Sequence, residues 1–142
     1  SAIGIGALLL DGIGDTVRVS LTGSPLPEAK AARDILLALG LREGAQIIAC
    51  PTCGRTRTDI EALAKSVEAR TRHIRQNVKI AVMGCVVNGP GEAQDADSGL
   101  CGGDGSSALY VRGKFVKKAA GNPEEELMSL IEDFLAEQKE ND

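Results

Sequence analysis

The sequence predicts an α/β fold, α+β-like in character, with a small mixed sheet, flanking helices and the order β-α-β-β-β-α from Ala45 onward. Three observations carry this. Two short apolar runs, Ala45 to Ala49 and Val78 to Gly84, bracket a segment of helical period. "ALYVRGKFVKK" reads as a hairpin turning near Gly113. A capped amphipathic stretch closes the chain.

Taken in order, Ala2 to Leu10 is an apolar, glycine-interrupted run that reads as a buried helix. "DTVRVSLT" then alternates, with Val17, Val19 and Leu21 on one face and Arg18, Ser20 and Thr22 on the other, as a strand with a polar face does. Ser24 and Pro25 form a cap and first turn for a helix that carries Ile35, Leu36 and Leu39 and stops at Gly40. A seam near Gly40 to Gly44 divides a first part, 1–40, from a second, 41–142. The strand at Ala45 to Ala49 runs straight into Cys50. Thr58 and Glu61 have capping-box spacing, and Ile60, Leu63, Ala64, Val67 and Ile74 hold the helical period through Gln76. Val78 to Gly84 is a strand that delivers Cys85. Gly89 to Ser107, rich in Gly, Asp and Ser, reads as a long functional loop. After the hairpin, Asn122, Pro123 and Glu125 cap a helix that buries Leu127, Leu130, Ile131, Phe134 and Leu135.

A chain of 142 residues can bury one core and part of a second. Its 43% hydrophobic and 25% charged residues are values of a folded globular protein, which sets disorder aside. A net charge of −4, with one Tyr, two Phe and no Trp, provides neither the basic surface nor the stacking rings of a nucleic-acid binder. The longest apolar stretch is too short and glycine-rich to span a bilayer and lacks the basic flank of a signal peptide. No membrane role is expected, and the expected location is the cytoplasm, where four cysteines serve as metal ligands or catalysts more often than as disulfides.

Cys50 and Cys53 sit between a strand end and a helix start, with Pro51 stiffening the turn. Such a pair fits a zinc site, a thioredoxin-like couple or an iron–sulfur cluster, and the helix N-terminus favours thiolates. The plainer reading is two inert buried cysteines. Cys85 opens "CVVNGPGEA", in which Gly89, Pro90 and Gly91 make a side-chain-poor turn before Glu92. That turn can bring amides to inorganic sulfides; alternatively it is an ordinary strand exit beside a buried thiol. With three thiols at strand ends, a four-iron cluster needs one more ligand, either Cys101 or the carboxylate of Glu92. A carboxylate is the harder and more exchangeable donor. Cys101, in "GLCGGDG", reads as a non-ligating thiol in a mobile loop. His73, among Arg70, Arg72 and Arg75, belongs to a solvated basic face, and Glu124 to Glu126 complement a helix dipole.

The combination of "ACPTCGRT", "MGCVVNGPGEA" and "ADSGLCGG" resembles hydroxymethylbutenyl diphosphate synthase of the methylerythritol phosphate route to isoprenoids. Upstream, "SAIGIGALLLDGIGDTVRVSLTGSP" is similar to the last barrel segment of that family. The resemblance implies that 1–40 is the last strand-helix unit of a (β/α)8, TIM-type barrel and 41–142 a 4Fe–4S cluster domain. Eight such units need at least ~200 residues, so the chain reads as a C-terminal fragment that is expected to be inactive alone.

The implied reaction is reductive dehydroxylation and ring opening of methylerythritol cyclodiphosphate to hydroxymethylbutenyl diphosphate, with ferredoxin or flavodoxin as electron donor. The implied assembly is a homodimer of the full-length enzyme. Cys50, Cys53, Cys85 and Glu92 match the cluster ligands, Glu92 and Asn88 the catalytic pair, and Asn88 also lies beside the substrate. Arg18 and Ser20 match residues that hold the diphosphate, a role suited to guanidinium and hydroxyl donors. Two rivals remain. A small zinc module built on Cys50, Cys53, Cys85 and Cys101 would lack the usual second close pair. A thiol–disulfide oxidoreductase would leave Cys85 and the Gly-Pro-Gly turn without a role.

Overall fold

The computed structural model describes residues 1–141 apart from Arg57, Asn88 and Asp104. The chain forms two compact units, Ser1–Gly44 and the remainder from Ala45. In the first, α1 (Ala2–Leu10) and α2 (Leu26–Ala38) pack on one another. Both end alike: Gly12 and Gly40 take positive φ, and the N–H groups of Ile13 and Leu41 donate to the carbonyls of Leu8 and Leu36. This Schellman ending satisfies carbonyls that the helix leaves free, and glycine adopts it without steric penalty. The helix expected at 2–10 is present but not buried; Ile3, Leu8 and Leu10 are exposed, because α2 covers only one of its faces.

Residues 15–22 form no strand ladder. The alternation persists in part, with Val19 buried, Val17 half-buried, and Arg18 and Ser20 exposed. Leu21 is exposed and its N–H donates to the Glu28 carboxylate. A strand is fixed by a lateral partner as much as by its own pattern, and no described strand pairs with this segment.

The second unit is built on a five-stranded sheet of order β1-β2-β3-β4-β5. In chain order its elements are β1 (Ala45–Ala49), α3 (Ile60–Thr71), β2 (Val78–Met83), the single turn α4 (Gly89–Glu92), β3 (Ser98–Cys101), β4 (Ala108–Val111), β5 (Lys114–Lys118) and α5 (Pro123–Asn141). The first three strands are parallel, and the hairpin β4–β5 adds antiparallel to β3. Both faces of β2 are covered, and of its six residues only Lys79 is exposed. Val78, Ile80 and Val82 join Leu100, Leu109, Val67 of α3, and Leu127, Ile131 and Phe134 of α5 in the main core. On the opposite face, Ala81, Met83, Cys101 and Ala108 meet Ala93 and Ala96. Small residues let that layer lie close: a Cβ on Gly99 would stand 3.3 Å from the Cβ atoms of both Ala81 and Ala93.

The mixed sheet with flanking helices is the predicted class, with one strand more than expected. The segment 89–107, expected as an irregular loop, contains α4 and β3. Its Gly-rich composition hides a four-residue strand whose place is set by parallel pairing with β2, a long-range contact. The cap of α3 is Asp59 rather than Thr58; its carboxylate accepts the Ala62 N–H at 3.0 Å. The helix ends at Thr71, and Ile74 is buried in the turn beyond. The hairpin turns at Arg112 and Gly113, both with positive φ, as a two-residue turn demands. Asn122 caps α5 by accepting the Glu124 N–H at 3.0 Å.

Candidate metal centre

Parallel strands bring their C-terminal ends to one edge of the sheet, and the residues that follow them build the site. Cys50 follows β1, and its N–H donates to the Val82 carbonyl at 3.3 Å, which extends the ladder by one residue and fixes the first thiol. Gly84 and Cys85 follow β2. The Gly84 N–H donates to Cys50 Sγ at 3.1 Å, so the two strand exits are joined through sulfur. Gly102 follows β3, and its N–H donates to the Met83 carbonyl at 2.7 Å.

Around this edge lies a cavity of about 170 Å3 lined by Cys50, Cys53, Cys85 and Glu92, together with Pro51, Arg55, Met83, Gly84 and Gly89. Three of the sulfurs and one carboxylate singled out in the sequence therefore share one space. Cys53 is exposed, and Cys50 and Cys85 are partly buried. The Arg55 N–H beside Cys53, then the Arg55 guanidinium and the Thr56 hydroxyl, hold the Cys53 thiol below its ordinary range. A second groove, between β1 and α3, is mostly apolar, and its Glu61 and Lys65 pair with each other at 2.6 Å.

Cys101 is not in a mobile loop. It is the last residue of β3, wholly buried, between Met83 and Ala108 on the neighbouring strands. A Cβ on Gly89 would come within 2.7 Å of its Sγ, so the thiol lies directly beneath the α4 turn. Burial first, then the nearby Cys85, Cys50 and Glu92, push it up to about 12. It is a neutral thiol at pH 7 and is not among the residues lining the cavity.

Among the described residues, no group of three His, Cys, Asp or Glu side chains converges as a single metal ion requires. Ligands of a polynuclear cluster attach to different irons and surround a space instead. The soft thiolates, the one hard carboxylate, the cationic Arg55 and the amide aimed at Cys50 Sγ fit the chemistry of such a cluster. Arg18 and Ser20 belong to the first unit and do not line this cavity, and Asn88 falls outside the described residues. Sequence reasoning overlooked Arg55, Thr56 and Gly84; the signals were the "GRT" that follows Cys53 and the "MGC" in which Gly84 precedes the third cysteine.

Fold and site together define a class: an α/β domain that presents three thiols and a carboxylate at the ends of parallel strands. The chain belongs to the GcpE family, since the family's C-terminal domain matches residues 46–134 and its TIM-barrel domain matches residues 1–33. A protein of Caldanaerobacter subterraneus subsp. tengcongensis is 54% identical over 97% of this chain and 39% of its own length. One of Fusobacterium nucleatum is 54% identical over 99% of this chain and 40% of its own. One of Clostridium perfringens is 52% identical over 93% and 38%. All three are named 4-hydroxy-3-methylbut-2-en-1-yl diphosphate synthase (flavodoxin). The chain thus spans about two fifths of the length of these relatives. No helix of the described residues is long and apolar enough to cross a membrane.

Proposed function

We propose that this chain supplies the iron–sulfur part of a cytoplasmic oxidoreductase that reductively opens methylerythritol cyclodiphosphate to hydroxymethylbutenyl diphosphate in isoprenoid biosynthesis. The observation that carries the reading is the single cavity lined by Cys50, Cys53, Cys85 and Glu92. These four residues would hold a 4Fe–4S cluster, the chain dividing into a barrel part, 1–40, and a cluster part, 41–142. When bound, such a cluster supplies single electrons and a Lewis-acidic iron.

The chain's own residues do the rest. Thiolates of Cys50, Cys53 and Cys85 anchor the group, and the Gly84 N–H on Cys50 Sγ withdraws charge from one of them. Glu92, a hard oxygen donor among soft ones, is the ligand that exchanges most readily. Asn88 orients the substrate, and Arg18 and Ser20 donate hydrogen bonds to its diphosphate. The relatives' names support flavodoxin as the source of electrons, with ferredoxin its functional equivalent. The full-length enzyme would act as a homodimer in which the barrel of one subunit meets the cluster part of the other.

Anaerobic reconstitution of the chain with iron and sulfide, followed by metal and sulfide analysis and a visible spectrum, tests this reading. A brown protein with about four irons and four sulfides per chain is expected. Replacing Cys50, Cys53 or Cys85 with Ser should abolish uptake, while Cys101→Ser should retain it. Colourless protein with one zinc, or metal-free protein with a redox-active thiol pair, would refute the reading.

A further inference from the structure

Thr56 and Thr58, which follow the cysteine pair, rest on the ends of β2 and β3 through two close approaches. A Cβ on Gly84, the residue before Cys85, would stand 2.9 Å from Cγ2 and 3.0 Å from Oγ1 of Thr56. A Cβ on Gly102, the residue after β3, would stand 2.7 Å from Thr58 Oγ1. Neither glycine has a positive φ, so it is space and not backbone conformation that requires them. Threonine is stiff at χ1 and does not swing aside.

Both sides of this contact are anchored. Gly102 is tied to β2 by its N–H bond to Met83, and a Cβ on it would also lie 3.3 Å from the Gly84 carbonyl oxygen. Thr56 is tied to Cys53 in both directions: the Cys53 N–H donates to Thr56 Oγ1 at 3.0 Å, and the Thr56 N–H donates to the Cys53 carbonyl at 3.0 Å. Gly84 in turn reaches Cys50 through its N–H. Thr56 and Gly84 therefore touch each other and, between them, both cysteines of the pair and the backbone leading to Cys85.

We propose that Thr56 is a positioning residue, seated with Thr58 on Gly84 and Gly102, and that its contact with Gly84 sets the separation of the Cys50–Cys53 turn from Cys85. The purpose of this device rests on the cluster-holding reading above; its geometry does not. A methyl added at Gly84 pushes the Cys53 turn away from Cys85, and shortening Thr56 returns the space. Thr56→Ser keeps the hydroxyl that the Cys53 N–H meets, whereas Thr56→Val keeps the shape and loses it.

The test uses the full 142-residue chain, as parent, Gly84→Ala, Thr56→Ala, the double variant, Thr56→Ser and Thr56→Val. Hydrogen exchange of the Cys53 amide is read in metal-free protein. Iron and sulfide per chain and the electron paramagnetic resonance of the reduced protein are read after anaerobic reconstitution. Gly84→Ala should speed Cys53 exchange severalfold, lower iron content severalfold and shift the spectrum. Adding Thr56→Ala should recover iron and spectrum but not amide protection, because the hydroxyl is gone. Thr56→Ser should keep Cys53 amide protection but shift the spectrum, because it loses the methyl that meets Gly84, and Thr56→Val should keep that methyl and lose amide protection. The proposal is overturned if Gly84→Ala behaves as the parent, or if the double variant is no better than Gly84→Ala alone. Should Gly84→Ala fail to fold, equal Cys53 exchange in Thr56→Ser and Thr56→Val overturns it. If the parent takes up no iron and sulfide, the cluster reading fails, and exchange in the metal-free chain still decides the positioning claim.

Discussion

Cys53 and Cys101 mark the two extremes that one residue type reaches in this chain. Cys53 is exposed beside Arg55, and its thiolate is favoured. Cys101 is sealed beneath Gly89 and stays protonated. In the unfolded chain Cys101 ionises near 9.0, and in the folded one near about 12. Between those values the unfolded state has released a proton that the folded state keeps, so stability is intact below the lower value and falls as pH rises. The slope is at most about 1.4 kcal/mol per pH unit, that of one proton. Urea midpoints of the metal-free chain measured across this range should decline more steeply in the parent than in Cys101→Ala; equal slopes would contradict the assignment. The candidate residues of the cavity were legible because thiols at strand ends advertise themselves in the sequence. The place of Cys101 was not, because four residues flanked by Gly, Asp and Ser carry no period to show that they form a buried strand.

At the scale of elements, the long periodic segments were legible and the short ones depended on neighbours. α3 and α5 follow from their apolar spacing, and the structure adds a link between them. Arg70 donates to Glu124 at 3.0 Å and to both oxygens of Glu125, and Ser66 donates to Glu124 at 2.7 Å. The basic face expected around Arg70 is thus paired at its centre. The missing strand β3 and the strand that residues 15–22 do not form are the same error in opposite directions: pattern was read where pairing decides. β3 lies between β2 and β4, and its Leu100 has no exposed surface and packs in the main core. Leu100→Ala should cost about 2–5 kcal/mol, by lost transfer energy and the cavity left behind. Val87→Ala, at an exposed position, should stay within about 0.5 kcal/mol of the parent. Urea unfolding of both variants checks the contrast, and a Leu100→Ala protein as stable as Val87→Ala would show that β3 does not carry the core.

At the scale of the molecule, the two units differ in how much of their own apolar surface they bury. Every member of both core clusters lies after Gly44, whereas in the first unit Ile3, Leu10 and Leu26 are 89%, 71% and 78% exposed. The second unit carries the core that cooperative folding needs, so residues 45–142 alone should unfold in one transition and, on the proposed function, should take up as much iron and sulfide as the whole chain. The proposed catalysis asks for more. A cyclodiphosphate carries negative charge on two phosphates and needs several donors together with exclusion of water, and the chain offers Arg18 and Ser20, both solvent-exposed. The relatives are more than twice as long, and the part of them that this chain does not span is where further donors are expected. With an intact cluster and reduced flavodoxin, the 142-residue chain should therefore show little turnover of methylerythritol cyclodiphosphate, and fusing it behind the unspanned part of the Fusobacterium nucleatum relative should restore it. Product formation by the unaided chain at the rate of that fusion would mean that the donors are already present within it, and that the phosphates are held by residues other than those named above.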